Sequence, residues 1–462
     1  MPHFRAYLES LEPRAMLYAP IGSETLVNVS TVDSQQVSNY ALADGGGARS
    51  VALSAGGSYV VAWESVSSSA TGNAYIRVFN ADGSPLTGEI QVNAITARTP
   101  GSQFSTSRGF DPTVAVDQSG NFVVVFKANG SADSSGIYAR RFQANGTPIG
   151  NEFLVNAAST DKQTDTSIAM APDGRFVVTW THENILKSGK TANGMQGDVY
   201  AQRFAANGTK LGSQFLVHAK SSLPEGQSTV AVDASGNFAI GWTHSDYTVF
   251  GGGTSPGHLL VQRYNAAGNK VGSQIELPTT GAGGTGSGTG VSLAYDGIGN
   301  LIASWRESGT LLAQIYGPSG GTVGGRIVVN DASTACLLSG SQQIASDQAG
   351  NFVVTWAVRG SDPGTNAEPD IMARRFTTGG VPDATGIFQV NTTTTLGQSH
   401  PTVALTADGR KAIFVWDGNG AGDDSGVFMQ EYDLTGPAAP AATLALDPNS
   451  VDFLMSSDTT KR

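Results

Sequence analysis

Seven copies of one short pattern constrain this chain more than any other feature. Trp63, Trp180, Trp242, Trp305, Trp356 and Trp416 are all six of its tryptophans; each closes a short apolar run, and Phe126 fills the one gap in the series. The seven aromatic positions recur at intervals of 51 to 63 residues. A period of that length marks a supersecondary unit written repeatedly, each copy burying its apolar faces against its neighbours.

Aligned on the aromatic, the copies share four segments. A short strand such as PTVAVD at 112–117 leads into a turn rich in Asp, Gly and Asn (QSGN at 118–121, ASGN at 234–237). The second segment is FVVVF at 122–126 or FVVTW at 176–180 and 352–356. The third is IYARRF at 137–142, VYAQRF at 199–204 or IMARRF at 371–376, and the fourth EFLVN at 152–156. Short β-branched and aromatic runs punctuated by Gly, Asn and Asp read as strands joined by hairpins. The second strand is apolar at every position, so both its faces must be covered by other layers. In the third strand Arg or Gln always stands two residues before the aromatic: Arg77, Arg140, Gln202, Gln262, Gln314, Arg374 and Gln430. Because Gln replaces Arg freely, these read as packing stems whose heads bond neighbouring backbone, not as an anion-binding ring.

Four-stranded units repeated around an axis make a β-propeller, and seven lies within its usual range of about 4–8 blades. The seventh repeat supplies three strands (402–406, 411–416, 426–432) and then runs into TGPAAPAA, while ETLVN at 24–28 precedes the first repeat and matches EIQVN at 89–93 and RIVVN at 326–330. The expected fold is therefore an all-β, seven-bladed propeller whose N-terminal strand completes the last blade and removes an open sheet edge. The division that follows is a segment at 1–20, the propeller at 21–435, and a Pro/Ala-rich tail at 436–462 without the roughly 20 apolar residues of a membrane span.

A net charge of −11 with no Lys/Arg cluster argues against nucleic acid as a partner. Only 14% of residues are charged, which leaves a surface of Ser, Thr, Asn, Gln and Gly and suits an extracellular β-protein. The single Cys336 excludes an intramolecular disulfide. LEPRAML at 11–17 resembles the LEPRxLL motif at the N-termini of many large surface or exported proteins of planctomycete bacteria, with Met16 where that family often has Leu. The resemblance implies export to the cell surface and no particular activity. The series FVVTW, IxARRF and EFxVN is similar to repeats of large secreted bacterial proteins, some of which carry hemolysin-type calcium modules; this too implies fold and location only.

Connections between strands one and two, and three and four, are short throughout. Those between strands two and three, and between blades, vary widely, and a meandering blade brings both variable classes out on one side of the disc. Binding resides where rigid elements present variable loops. Directly after the core aromatic this face receives Glu64, Lys127, His182, His244, Arg306 and Glu307, the candidate binding residues. His182 and His244, with Glu183 and Asp246 nearby, have the donor types of a transition-metal or acid–base site, without a spaced motif such as HExxH. The loop DGNGAGDD at 417–424 places Asp417, Asn419 and Asp423 as hard oxygen donors among glycines, a candidate calcium loop that lacks the bidentate Glu of an EF-hand. Nucleophile-elbow, P-loop and HExxH signatures are absent. The expectation is an exported, non-catalytic module that binds a glycan or protein at the cell surface. The alternatives are a carbohydrate-active hydrolase or lyase working through acidic residues in the central funnel, and a calcium-dependent adhesion module.

Overall fold

The computed structural model describes residues 18–37, 49–66, 72–94, 110–133, 135–159, 161–184, 196–219, 225–244, 258–279, 288–307, 309–331, 334–335, 342–359, 369–394 and 397–435. LEPRAML, Cys336, Asp246 and the tail at 436–462 lie outside them. The described chain is all-β: seven antiparallel sheets in a ring, each built on a four-stranded blade and one of them carrying a fifth strand. It is a seven-bladed β-propeller. Blades are numbered 1 to 7 here by their aromatic, from Trp63 to Trp416.

Blade 2 shows how sequence becomes sheet. Its strands are Thr113–Val116, Phe122–Ala128, Gly136–Phe142 and Pro148–Leu154, running from the channel outward. The hairpin between the first two is an Asp-x-x-Gly-Asn turn. One Asp117 carboxylate oxygen accepts the N–H groups of Ser119 and Asn121, the other accepts the Asn121 amide, and Gly120 takes a φ of +87°. Asp233, Asp296 and Asp347 close the same turn in blades 4, 5 and 6. Side-chain closure of this kind is why Asp, Gly and Asn dominate such turns.

The last blade is assembled from both ends of the described chain. Ala19–Leu26 pairs antiparallel with Asp423–Asp433, Leu26 facing Phe428 and Ala19 facing Asp433. Blade 1 carries an addition: Ser34–Gln36 pairs with the outer part of Tyr59–Val66, in line with the inner strand Val51–Leu53.

The core is divided among the seven seams between blades. Trp180 of blade 3 packs with Val123, Val125, Ile137 and Ala139 of blade 2, and Trp242 of blade 4 with Val199 and Ala201 of blade 3. All six tryptophans and Phe126 have no accessible surface. Burying each contributes roughly 3 kcal/mol or more, which accounts for the recurrence of the aromatic in every blade without invoking function.

The third-strand Arg and Gln divide the work. Arg77, Arg140 and Arg374 stack over Phe79, Phe142 and Phe376 at 5.4–5.7 Å and donate to the carbonyls of Val27, Val92 and Val329 in the preceding blade. Gln202, Gln262, Gln314 and Gln430 donate within their own blade, to the carbonyls of Gly212, Gly272, Gly324 and Ile21. Both satisfy buried backbone, the first across a seam and the second at the kink of a fourth strand.

Candidate functional site

The inner strands pack side by side around the axis, and near its start each fully described one is interrupted opposite the core aromatic. In blade 3 the pairing of Thr164 with Thr181 gives way to Ser167 with Thr179, so Asp165 and Thr166 together face Trp180. Gln227 and Ser228 face Trp242, Gly290 and Val291 face Trp305, and His400 and Pro401 face Trp416 in the same manner. In blade 2, Asp111 and Pro112 stand opposite Phe126, bracketed by the Lys127 N–H to Phe110 carbonyl bond and the Thr113–Val125 pair. These are β-bulges, and the first residue of each is left-handed: Asp111 at φ +41°, Asp165 at +54°, Gln227 at +54°, Gly290 at +64° and His400 at +51°. Glycine is the unstrained choice there, and only blade 5 has it.

Each bulge side chain is held by the residue after the aromatic. Asp111 forms an ion pair with Lys127; Thr181 donates to Asp165 at 2.5 Å; Thr243 donates to Gln227 at 2.9 Å; His400 Nδ1 lies 3.0 Å from both oxygens of Asp417. The bulges are also tied to one another. Thr166 donates to the Asp111 carbonyl, Ser228 to the Asp165 carbonyl, and the Gln227 N–H to the Asp165 carboxylate at 3.1 Å. A polar collar thus lines the channel on blades 7, 2, 3 and 4, at the end where the variable connections emerge.

Glu64 is the strut of this collar between blades 1 and 2. It is 2% exposed, and one of its oxygens accepts the N–H groups of Phe110 and Asp111. Burial pushes its carboxyl up to about 8; the charge of Asp111 adds to this, and Lys127 and the two N–H donors oppose it. Glu64 is therefore largely protonated at neutral pH. For His400, burial disfavours the charged imidazole, but the ion pair and hydrogen bond with Asp417, together with the charge of Asp111, hold it above its ordinary value. Glu64, Asp111, Lys127, His400 and Asp417 therefore form one electrostatic cluster at the junction of blades 7, 1 and 2.

The sequence-predicted residues fall into three groups. Glu64, Lys127 and Asp417 meet in this cluster. Arg306 and Glu307 are 4% and 6% exposed, at the strand end of blade 5. His182 and His244 end in separate networks, His182 with Gln163 and Asp161, and His244 with Glu225. The proposed calcium donors turn to different partners. Asp417 binds His400; Asn419 donates to Asp424; Asp423 accepts the Asn28 amide at 2.7 Å and the Ser425 N–H. Among the described residues no group of three or more His, Cys, Asp or Glu is placed to hold a metal ion.

Asp111, Asp165, Gln227 and His400 were missed. The signal was available, since each stands 15 or 16 residues before its core aromatic. It was obscured because the four differ in residue type and precede strands whose apolar residues dominate the pattern.

The protein so defined is a closed seven-bladed propeller with a polar collar at one mouth of its channel. No family model matches the chain, and no curated protein does so. Solved structures do share its fold. An ulvan lyase, described as belonging to a new family of polysaccharide lyase, superposes with a TM-score of 0.54 over 89% of this chain and 95% of its own, at 11% identity. The polysaccharide lyase Uly1 gives 0.50 over 89% and 99%, at 9% identity, and a protein of unknown function from Dyadobacter fermentans gives 0.50 over 70% and 94%, at 12% identity. At such identities the likeness is one of fold.

Proposed function

We propose that this chain is an exported propeller that binds glycans, without turning them over, at the collared mouth of its channel. The observation that carries the reading is the set of left-handed bulges. Four blades place Asp, Gln or His where glycine is the cheaper residue, and all four side chains belong to one collar. Backbone held in a disfavoured region marks positions where the side chain is wanted for something besides folding. Carboxylate, amide, imidazole and hydroxyl groups fixed on rigid strands suit a ligand made of hydroxyls. Each is already held by an intramolecular partner, as in a preorganised recognition surface. The two polysaccharide lyases of the same fold support a saccharide ligand, and LEPRAML supports a place at the cell surface.

The test is binding of the labelled full chain to a glycan array, with wild type and His400→Ala compared on every hit and the supernatants assayed for new reducing or unsaturated ends. The expected result is at least tenfold weaker binding by the variant and no product. Undiminished binding by His400→Ala would defeat the reading.

One observation favours a hydrolase or lyase as the second reading. The His400 side chain is 23% exposed and bonded to Asp417, and a carboxylate-held imidazole is a common general acid–base element. Glu64 and Glu307, the two carboxylates among the candidate binding residues, are both buried, so His400 is the group to test. Product release that disappears in His400→Ala would establish catalysis.

A further inference from the structure

A second constellation lies apart from the collar, at the ends of the second and third strands of blade 4. His244 and His258 are direct cross-strand partners, with ring centroids 5.9 Å apart and planes at 65°. Each imidazole is anchored through Nδ1 to a carboxylate at 2.5 Å, His244 to Glu225 and His258 to Glu276. Glu225 is itself fixed: it is 3% exposed and accepts the Trp242 indole N–H at 2.6 Å.

The chemistry of these contacts sets the tautomers. An ionised carboxylate only accepts, so Nδ1 carries the proton in both rings, and each neutral ring presents a lone pair on Nε2. Among the described residues neither Nε2 has a hydrogen-bond partner. Carboxylate on one nitrogen and a basic lone pair on the other is the outer-shell arrangement that orients histidine toward a metal. The spacing also fits. Two imidazoles sharing one ion at about 2.0–2.1 Å per bond would hold their centroids roughly 5–6 Å apart.

We propose that His244 and His258 chelate one borderline divalent transition-metal ion through their Nε2 atoms, with Glu225 and Glu276 as the orienting outer shell. Imidazole donors select Zn²⁺, Cu²⁺ or Ni²⁺ over Ca²⁺ or Mg²⁺. Two protein ligands leave the remaining coordination positions to water or to an oxygen of a bound molecule. The neighbouring His218 stays outside the set: its Nε2 accepts the Val199 N–H and its Nδ1 bonds the Ala219 carbonyl, so neither nitrogen has a lone pair to give.

The experiment is calorimetric titration of the chelator-treated full chain with Zn²⁺ and, separately, Ca²⁺. Expected are one Zn²⁺ per chain, no Ca²⁺ binding that competes with it, and at least tenfold weaker Zn²⁺ binding in either His258→Ala or His244→Ala. Glu276→Gln should weaken binding severalfold by loosening one ring. His258 is half exposed, so its variant is expected to fold; an unchanged melting temperature without metal would verify this. Zn²⁺ binding that persists undiminished in folded His258→Ala, or no binding by the wild type, overturns the proposal.

Discussion

Removing the Asn28 side chain should unlatch the ring at the one blade built from two distant stretches of chain. Asn28 makes three bonds there. Its Oδ1 accepts the Val427 N–H at 2.8 Å, and its amide donates to Asp423 at 2.7 Å and to the Ser30 carbonyl at 2.9 Å. Asn28→Ala therefore leaves one buried N–H without an acceptor, about 1–3 kcal/mol, and removes a hydrogen bond to a charged carboxylate, about 1.5–3 kcal/mol. The summed cost is about 2.5–6 kcal/mol, a large part of the stability of an ordinary domain.

Two companion variants sharpen the argument. Asn156 makes the same set of contacts in blade 2, to the Ile137 N–H, Asp133 and the Ala157 carbonyl. There the outer strand remains tethered by a short hairpin, whereas Asn28 and Val427 are 399 residues apart. Asn156→Ala should therefore cost no more than Asn28→Ala. Asn28→His should retain much of the latch, since His218 fills this place in blade 3 and accepts the Val199 N–H at 3.2 Å. The measurements are denaturant midpoints for the three variants and amide hydrogen exchange at Val427. A loss below about 1 kcal/mol in Asn28→Ala, with Val427 still protected, would refute the latch.

Trp242→Phe should cost about 1.5–3 kcal/mol more than Trp180→Phe, because only the first deprives a buried carboxylate of a donor; the Trp242 indole bonds Glu225, and that of Trp180 has no partner among the described residues. Equal losses in thermal melts would contradict this. Glu64 titrates near 4.5 when unfolded and near about 8 when folded, so the folded state holds the extra proton between these values and stability falls as pH rises through that window. Glu64→Gln should flatten that slope and be more stable than wild type above about pH 8; denaturant midpoints measured across the window should diverge steadily if the reasoning holds.

The fold was legible because propeller blades repeat their packing, and packing leaves a mark at every copy. The aromatic series located the seams, and the match of ETLVN to the fourth-strand segments located the closure. The structure shows what the letters of that segment do. Asn28 and Asn156 clamp the fourth strand to the third, while Glu24, Glu89 and Glu152 accept N–H groups of Thr392, Val29 and Ala94 from the link that leaves the preceding blade. The partners of this Asn lie across the sheet, and no local pattern announces them. The collar was only half legible for a related reason. Glu64, Lys127 and Asp417 follow an obvious aromatic, but their partners Asp111 and His400 are set by a bulge. A bulge shifts register by one residue, and a reading by strand periodicity passes over it.

The bulges also allow strain to be separated from use. A left-handed non-glycine residue costs about 1–2 kcal/mol, and blade 5 shows that Gly290 serves the backbone without that cost. His400→Ala removes the imidazole and keeps the strain; His400→Gly removes both. The glycine variant should therefore be the more stable of the two by roughly 1 kcal/mol, because only the side chain's bond with Asp417 is lost in each. If the collar recognises glycans, both variants should bind equally poorly, so that the better-folded protein gains nothing in affinity. A chain that carries His where Gly would fold better, and binds only with His, has kept the imidazole for its ligand. If His400→Gly is no more stable than His400→Ala, the φ of +51° is not a strained position and the bulge gives no evidence of function.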